Sequence, residues 1–166
     1  MKPVVFVFSH DNIFSGVKQE ASLLSVRMKD DKDNPLFDEL VFDEAYLTKF
    51  RELFFDAQAG MDLVLSKFMK GVPVGMGCLE TKDFSKDRDY EVFLAPPAHW
   101  NFHLQKPLDI KIKEYLIAYI LWRWLETKDL SLAIVYRQRC DSVVDEIRRM
   151  MNVFVRGVER EHYWWG

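Results

Sequence analysis

Cysteine is scarce in this sequence, and long apolar runs are missing from it. The two cysteines, Cys78 and Cys140, lie far apart and do not form the closely spaced pair of a zinc site. We predict that both are reduced, partly buried thiols, as is usual in an intracellular protein. The longest apolar run, Tyr115–Trp122, is much shorter than the roughly 20 residues needed to cross a bilayer. The sequence therefore predicts no membrane segment.

The beginning of the sequence also lacks the features of a secretory signal. Residues 1–4 contain one basic residue, Lys2, and lead into a short apolar stretch. That stretch ends at Ser9 without a small-residue cleavage site. This pattern predicts a protein that stays in the cytoplasm of the cell that makes it.

Recognisable catalytic motifs are missing as well. Ser9, His10 and Asp11 are the residue types of a catalytic triad, but neighbouring side chains diverge and cannot form one. We predict a turn there, with Asp11 or Ser15 capping the next helix. A glycine pair at 75–77 lacks the third glycine and the lysine of a phosphate loop, so it also predicts a turn. We therefore predict no catalytic residue and no cofactor.

Two histidines have a spacing that suits metal binding. His99 and His103 would lie on one face if this segment were a helix. Pro96 and Pro97 disfavour a helix there, and local sequence offers no third ligand. We predict instead a loop that packs Trp100 against the helices, and no metal.

What the chain does contain is typical of one folded domain. Apolar residues make up 49% of its 166 positions and aromatic residues 14%, which is more than a disordered chain carries. This length fits a single domain spanning residues 1–166 and leaves little room for a second core. Aromatic residues are common both in cores and in protein–protein interfaces, and composition does not separate the two uses.

Apolar residues recur at alternating steps of three and four, which predicts helices. The predicted helices are 13–28, 43–69, 109–127 and 131–151. In the first helix, Leu24, Val26 and Met28 alternate and also permit a strand. Gly60 in the second predicts a bend or a close contact, and Gly71 predicts its end. The short break between the last two helices predicts an antiparallel hairpin.

Short β-branched and aromatic stretches predict strands. They cover residues 3–8, 90–94 and 153–156, and the first of them is predicted to be buried on both faces. Trp122 and Trp124 fall on different faces of the third helix, so this helix is predicted to be buried around much of its circumference. The predicted fold class is mainly α, of the α+β type, with a four-helix bundle-like core and a small antiparallel β-sheet.

Charge is unevenly distributed along the chain. Residues 1–110 carry 13 basic and 18 acidic side chains, or −5, whereas residues 111–166 carry 10 and 8, or +2. This difference is either ordinary surface variation or a source of head-to-tail attraction between copies. The C-terminal arginines offer contacts for nucleic acid, but interleaved acidic residues favour internal ion pairing. These arginines are Arg137, Arg139, Arg148, Arg149, Arg156 and Arg160.

Neighbouring aromatic residues at 163–165 are the most distinctive local feature. Two adjacent tryptophans either pack back onto their own core or anchor a partner protein, and both interpretations remain open. The predicted partner-binding residues are Trp100, Arg156, Arg160, Tyr163, Trp164 and Trp165.

The second half of the chain carries a pattern of packing residues. A strand ends in a Pro–Trp–Asn loop within residues 93–101, and a helical hairpin follows. The first helix of the hairpin has a face made of Tyr115, Tyr119, Ile120, Leu121 and Trp124. The second ends in a motif formed by Ile147, Arg148 and Asn152, before the arginine at 156. With these features the chain resembles, over about its last 75 residues, a recurrent small protein of Bacteroidales phages and prophages.

The resemblance implies a non-enzymatic virion structural protein of the head–tail connector or neck type. Such a protein would self-associate, as a ring subunit does, and bind other virion proteins. It would be found in the host-cell cytoplasm and then in the virion. Ring subunits meet through heterologous interfaces, which a monomer with opposed surface charge can supply.

Two other functions follow from the residues alone. The alternative is a small-molecule-binding or enzymatic helical domain with a site near the loop at 96–103. A third hypothesis is nucleic-acid binding through the C-terminal arginines.

Overall fold

A computed structural model describes residues 3–27, 42–69 and 87–153, which form four helices and a two-stranded sheet. The helices are α1 (His10–Arg27), α2 (Leu47–Leu65), α3 (Gln105–Leu125) and α4 (Leu130–Met151). The strands are β1 (Val4–Phe8) and β2 (Tyr90–Leu94). Short 3₁₀ turns cover Glu44–Tyr46, Ser66–Phe68 and Phe102–Leu104. The predicted fold class, mainly α with a small antiparallel sheet, is confirmed.

Helices α3 and α4 form the predicted hairpin. Asp129 precedes α4, and its side chain accepts a hydrogen bond of 3.0 Å from the Leu132 N–H. This bond satisfies one of the N–H groups that have no partner inside the helix. One face of α4 is buried, at steps of three and four residues, through Ala133, Tyr136, Cys140, Val143, Ile147 and Met151.

Helix α3 lies at the centre of the bundle and contacts α1, α2 and α4. Gly16 allows α1 to approach Ile117 closely, and Gly60 allows α2 to approach Tyr115. Its buried residues are Leu108, Ile112, Tyr115, Leu116, Ala118, Ile120, Leu121, Trp124 and Leu125. These positions surround much of the helix axis, as the sequence predicts.

A network of ion pairs joins α1 to the α3–α4 hairpin. Arg139 of α4 pairs with Glu20 of α1 and with Glu114 of α3. Lys111 lies 3.0 Å from a Glu114 oxygen and 2.8 Å from a Glu146 oxygen, measured from its Nζ atom. The charged groups therefore hold three helices together along one side of the bundle.

The sheet packs against the helices through one face. β1 pairs with β2 in antiparallel register. Val4, Phe6 and Phe8 are buried, whereas Val5 and Val7 are 43% and 56% exposed. The prediction that this strand is buried on both faces is wrong, because the described helices cover only its inner face.

Helix α1 begins earlier than predicted. The carbonyl of Ser9 accepts a hydrogen bond of 3.1 Å from the Ile13 N–H, which starts the helical ladder at His10. Asp11 therefore lies in the first turn and Ser15 lies further inside. The prediction that Asp11 or Ser15 caps this helix is wrong.

Some predictions fall partly outside the described residues. Leu24 and Val26 lie within α1, so the alternative of a strand there is wrong, although Met28 is not described. Gly71, the predicted end of the second helix, and 154–156 of the predicted third strand also lie outside. The single-domain organisation of the whole chain stays a prediction.

Replacing Gly60 with alanine is expected to destabilise the fold. A Cβ atom at this position would lie 2.5 Å from the hydroxyl oxygen of Tyr115, whose ring is buried. In an unobstructed helix the same change would stabilise by about 1 kcal/mol, so the sign of the effect tests the contact. We expect urea denaturation to show a loss of about 1–3 kcal/mol in the free energy of unfolding.

Gly16→Ala is the matched control for this substitution. The nearest atom there, Cδ1 of Ile117 at 2.6 Å, ends a side chain that rotates more easily than a tyrosine ring. We expect Gly16→Ala to change stability little. A Gly60→Ala variant that is more stable than the wild type would contradict the close contact between α2 and α3.

The ion-pair network predicts a loss of stability in acid. Burial raises the pKa of Glu114, but hydrogen bonds from Lys111 and Arg139 outweigh it, so that its pKa lies below the usual 4.5. A carboxyl with a lowered pKa stabilises the folded state above its usual pKa, and this contribution disappears as pH falls through the lowered value. Glu114→Gln should therefore destabilise the protein at neutral pH and have progressively less effect in acid.

Urea denaturation of the wild type and Glu114→Gln at about pH 7 and about pH 3 measures this effect. Glu52→Gln is the control, because the Lys49–Glu52 pair is exposed and exposed pairs contribute little. The same difference in unfolding free energy at both pH values would contradict the role given to Glu114.

Candidate functional site

A groove of about 450 Å³ lies between β1 and the start of α3. Its lining includes Val5, Phe6, Val7, Phe102, His103, Lys106 and Asp109. We call it the β1 groove. Four of its eight lining residues are apolar and four are polar, the remaining polar one being Gln105.

One wall of the β1 groove is the edge of a strand. Val5, Phe6 and Val7 are consecutive, and since neighbouring side chains of a strand point to opposite faces, the surface they share is the strand edge. No strand among the described residues pairs with β1 on the side away from β2. Alternate residues of β1 therefore present N–H and C=O groups without a strand partner.

The opposite wall is a 3₁₀ turn fixed by a side-chain cap. The Asn101 side chain accepts a hydrogen bond of 3.1 Å from the His103 N–H, at the start of this turn. Phe102, the first residue of the turn, is 53% exposed, and its ring packs edge to face against Trp100 at 5.4 Å. The turn thus holds an aromatic ring at the surface.

Trp100 anchors this wall to the helical core. Its side chain is only 2% exposed, and its Nε1–H donates a hydrogen bond of 2.9 Å to the Met150 carbonyl. The next residue, Asn101, donates its N–H to the Val153 carbonyl at 3.3 Å. The loop packs Trp100 against the helices, as expected. The predicted partner-binding role of Trp100 would require its ring to leave the core.

The two histidines of this region occupy different local structures. His99 lies in a turn with φ of 69°, a left-handed conformation that few non-glycine residues adopt, and His103 lies in the 3₁₀ turn. No group of three or more His, Cys, Asp or Glu side chains in the described ranges is placed to hold a metal ion. Trp100 fills the inner side of the loop, so the alternative small-molecule site stays a prediction that depends on the β1 groove.

A second polar cluster surrounds His10, which is buried. Its Nδ1 lies 3.1 Å from Asp11, and its Nε2 lies 3.2 Å from Asp87 without the alignment of a hydrogen bond. Arg51 pairs with the same Asp87 oxygen at 2.7 Å. Both ring nitrogens face carboxylates, so neither is available as a base for Ser9. The cluster joins α1, α2 and the residues before β2, and it forms no triad.

The arginines of α4 are largely engaged within the molecule. Arg139 belongs to the ion-pair network, and Arg148 lies 3.5 Å from Asp145. Arg137 lies over the Trp122 ring, 5.6 Å from its centroid. These contacts support the interpretation of internal pairing. Outside the described residues lie Arg156, Arg160, Tyr163, Trp164 and Trp165.

Cys140 is a free thiol and is buried in the core. Burial raises the pKa of this thiol to about 12, so it is protonated at neutral pH and a poor nucleophile. It is more deeply buried than predicted. Cys78 lies outside the described residues.

Comparison of this chain with protein-family models, with curated proteins and with solved structures finds no match. None of the helices in the described ranges has both the length and the apolar character needed to cross a membrane.

Sequence reasoning did not identify the β1 groove. Its two walls come from residues 5–7 and 102–109, which are distant in the chain. The sequence feature that could have indicated the groove is the apolar character of Val5 and Val7. This feature is equally typical of a buried strand and of an exposed strand that binds a partner.

Substitution of Trp100 tests whether this residue serves the fold. Trp100→Phe removes the indole donor to the Met150 carbonyl, which keeps its bond from the Val153 N–H at 3.3 Å, and leaves part of the volume of a buried ring empty. We expect a loss of at least about 2 kcal/mol in the free energy of unfolding, measured by urea denaturation. Phe102→Ser, at an exposed aromatic residue nearby, should change stability by less than about 0.5 kcal/mol. Equal effects of the two substitutions would contradict the anchoring role.

Proposed function

We propose that this chain is a non-enzymatic assembly protein of a phage-derived virion, of the head–tail connector kind, and that it works by self-association. The observation that carries the proposal is exposed apolar surface at two opposite ends of the α3–α4 hairpin. The resemblance of residues 93–156 to phage and prophage virion proteins supplies the virion context.

The first surface is the β1 groove, beside the start of α3. The second lies at the start of α4, where Leu130, Ile134 and Val135 are 67%, 49% and 57% exposed. Leu130 and Ile134 are four residues apart and therefore lie on one helical face. We call these two residues the hairpin patch, and Val135 lies about 100° further around the helix from Ile134. Neighbouring exposed apolar residues are typical of surfaces that bind other proteins.

The two surfaces are well separated. Helix α3 has 21 residues and is about 31 Å long at 1.5 Å per residue. The β1 groove lies beside its first turn, Leu130 follows its last turn, and Ile134 lies one turn back along the antiparallel α4, so roughly 20–30 Å lies between the two surfaces. Two different surfaces at opposite ends suit a head-to-tail contact, which builds a ring when the rotation between copies closes.

The mass of the protein in solution tests the proposal. We expect light scattering and native mass spectrometry to show that the wild type is an oligomer. The Ile134→Lys variant should dissociate into monomers, because burying a charge in the hairpin patch is unfavourable. The substitution should weaken association by at least about tenfold. Leu63→Lys is the matched control, since Leu63 is 77% exposed on α2 and belongs neither to the groove lining nor to the hairpin patch.

A wild-type protein that remains monomeric at all accessible concentrations, alone and with portal or tail proteins added, would refute the proposed function. Equal loss of association in Ile134→Lys and Leu63→Lys would show that the hairpin patch is not the contact. Electron microscopy of the oligomer would then distinguish a closed ring from an open filament.

A further inference from the structure

The β1 groove has the features of a site for an extended peptide segment. The edge of β1 that pairs with no described strand offers backbone N–H and C=O groups, and Val5, Val7 and Phe102 offer apolar side chains. In strand addition, backbone hydrogen bonds supply affinity and alternate side chains supply specificity. The groove volume of about 450 Å³ is that of a site for a few large side chains.

We infer that the β1 groove binds the aromatic segment Tyr163–Trp165 of a second copy of this chain. The inference rests on the proposed self-association and names the segment that one copy gives to the next. In an extended segment, Tyr163 and Trp165 point to the same side and Trp164 to the other. Two large rings on one side suit the apolar wall, and each buries about 150–250 Å².

The path of the chain favours a second copy over the same copy. The carbonyl of Val153 accepts a hydrogen bond from Asn101, directly beside Phe102 of the groove wall. Tyr163 follows ten residues later, an extended length of about 33 Å. An extended segment therefore passes its own groove before the aromatic residues are reached.

This reach agrees with the proposed head-to-tail arrangement. In that arrangement the groove of the neighbouring copy lies near the hairpin patch, roughly 20–30 Å from the first groove and within the reach of an extended segment of ten residues. The ten residues after Val153 span at least this distance when extended. When two copies already touch through the hairpin patch, a connection long enough to span this distance gives the aromatic segment a high effective concentration at the neighbouring groove.

Charges near the aromatic segment complement those of the groove. Glu161 stands two residues before Tyr163, and Lys106 lines the groove. Arg160 precedes Glu161, and Asp109 lies one helical turn after Lys106. Glu161 can therefore pair with Lys106, and Arg160 can pair with Asp109. Such charge pairs determine the orientation of an entering segment more than its affinity.

Disulfide trapping between two differently substituted chains tests the inference. One full-length chain carries Val7→Cys and the other His162→Cys, both with Cys78→Ser, while Cys140 is kept because it is buried. We expect mild oxidation of the mixture to give a disulfide-linked heterodimer. Leu63→Cys in place of Val7→Cys is the control, and it should give at least about tenfold less heterodimer.

Two further variants make the test specific. Tyr163→Ala with Trp165→Ala, placed in the His162→Cys chain, should lower the heterodimer yield at least about tenfold, because large aromatic anchors dominate such contacts. Val5→Cys is a second cysteine position in the groove, where the side chain is 43% exposed. The result therefore does not depend on the geometry at Val7 alone.

Two results would overturn the inference. One is a yield from both groove positions no higher than that of the Leu63→Cys control. The other is a chain carrying Val7→Cys and His162→Cys that closes a disulfide within itself and stays monomeric on a non-reducing gel, which would place the segment in its own groove. If the protein has the mass of an oligomer in solution but gives no disulfide-linked heterodimer, only this inference is refuted. If it has the mass of a monomer, the proposed function is refuted as well.

Discussion

The burial of α3 is the constraint on which the rest of the structure depends. Helices α1 and α2 approach it at Gly16 and Gly60, where a larger residue would collide, and α4 packs along its length. Three helices occupy most of the surface of α3, so the sheet packs on the bundle only by its inner face. Val5 and Val7 on the outer face of β1 remain exposed, and no described strand pairs with its second edge, which forms one wall of the β1 groove.

Polar contacts decide where the outer parts of the fold lie. The network centred on Arg139 and Glu114 fixes α1 on the hairpin, and the bond from Trp100 to Met150 fixes the loop before α3. Apolar packing alone tolerates shifts of helices along each other, whereas these bonds have defined directions and lengths. The position of the Phe102 wall, and with it the width of the groove, depends on the bond of Trp100.

Local patterns were enough to predict most of the secondary structure. The steps of three and four residues identified all four helices, because each has an apolar face that the core covers. The strand Tyr90–Leu94 was predicted with its observed bounds.

Which face of β1 is buried was not predictable, because Val4–Phe8 is apolar at every position and shows no alternation. The start of α1 was missed although serine is a residue type favoured just before a helix: the carbonyl of Ser9 begins the ladder, whereas the apolar pattern starts only at Ile13. The groove depends on contacts between distant segments, and no local pattern encodes such contacts.

The pairing of β1 with β2 has a consequence for the order of folding. It joins Phe8 to Tyr90, more than eighty residues apart, whereas the α3–α4 hairpin is closed by a short break. Closing a long loop costs more entropy than closing a short one, so distant pairings form late unless the core already holds them. We therefore expect the hairpin to form before the sheet. The edge of β1 that no described strand covers then arises late, on a chain whose helical core is already packed.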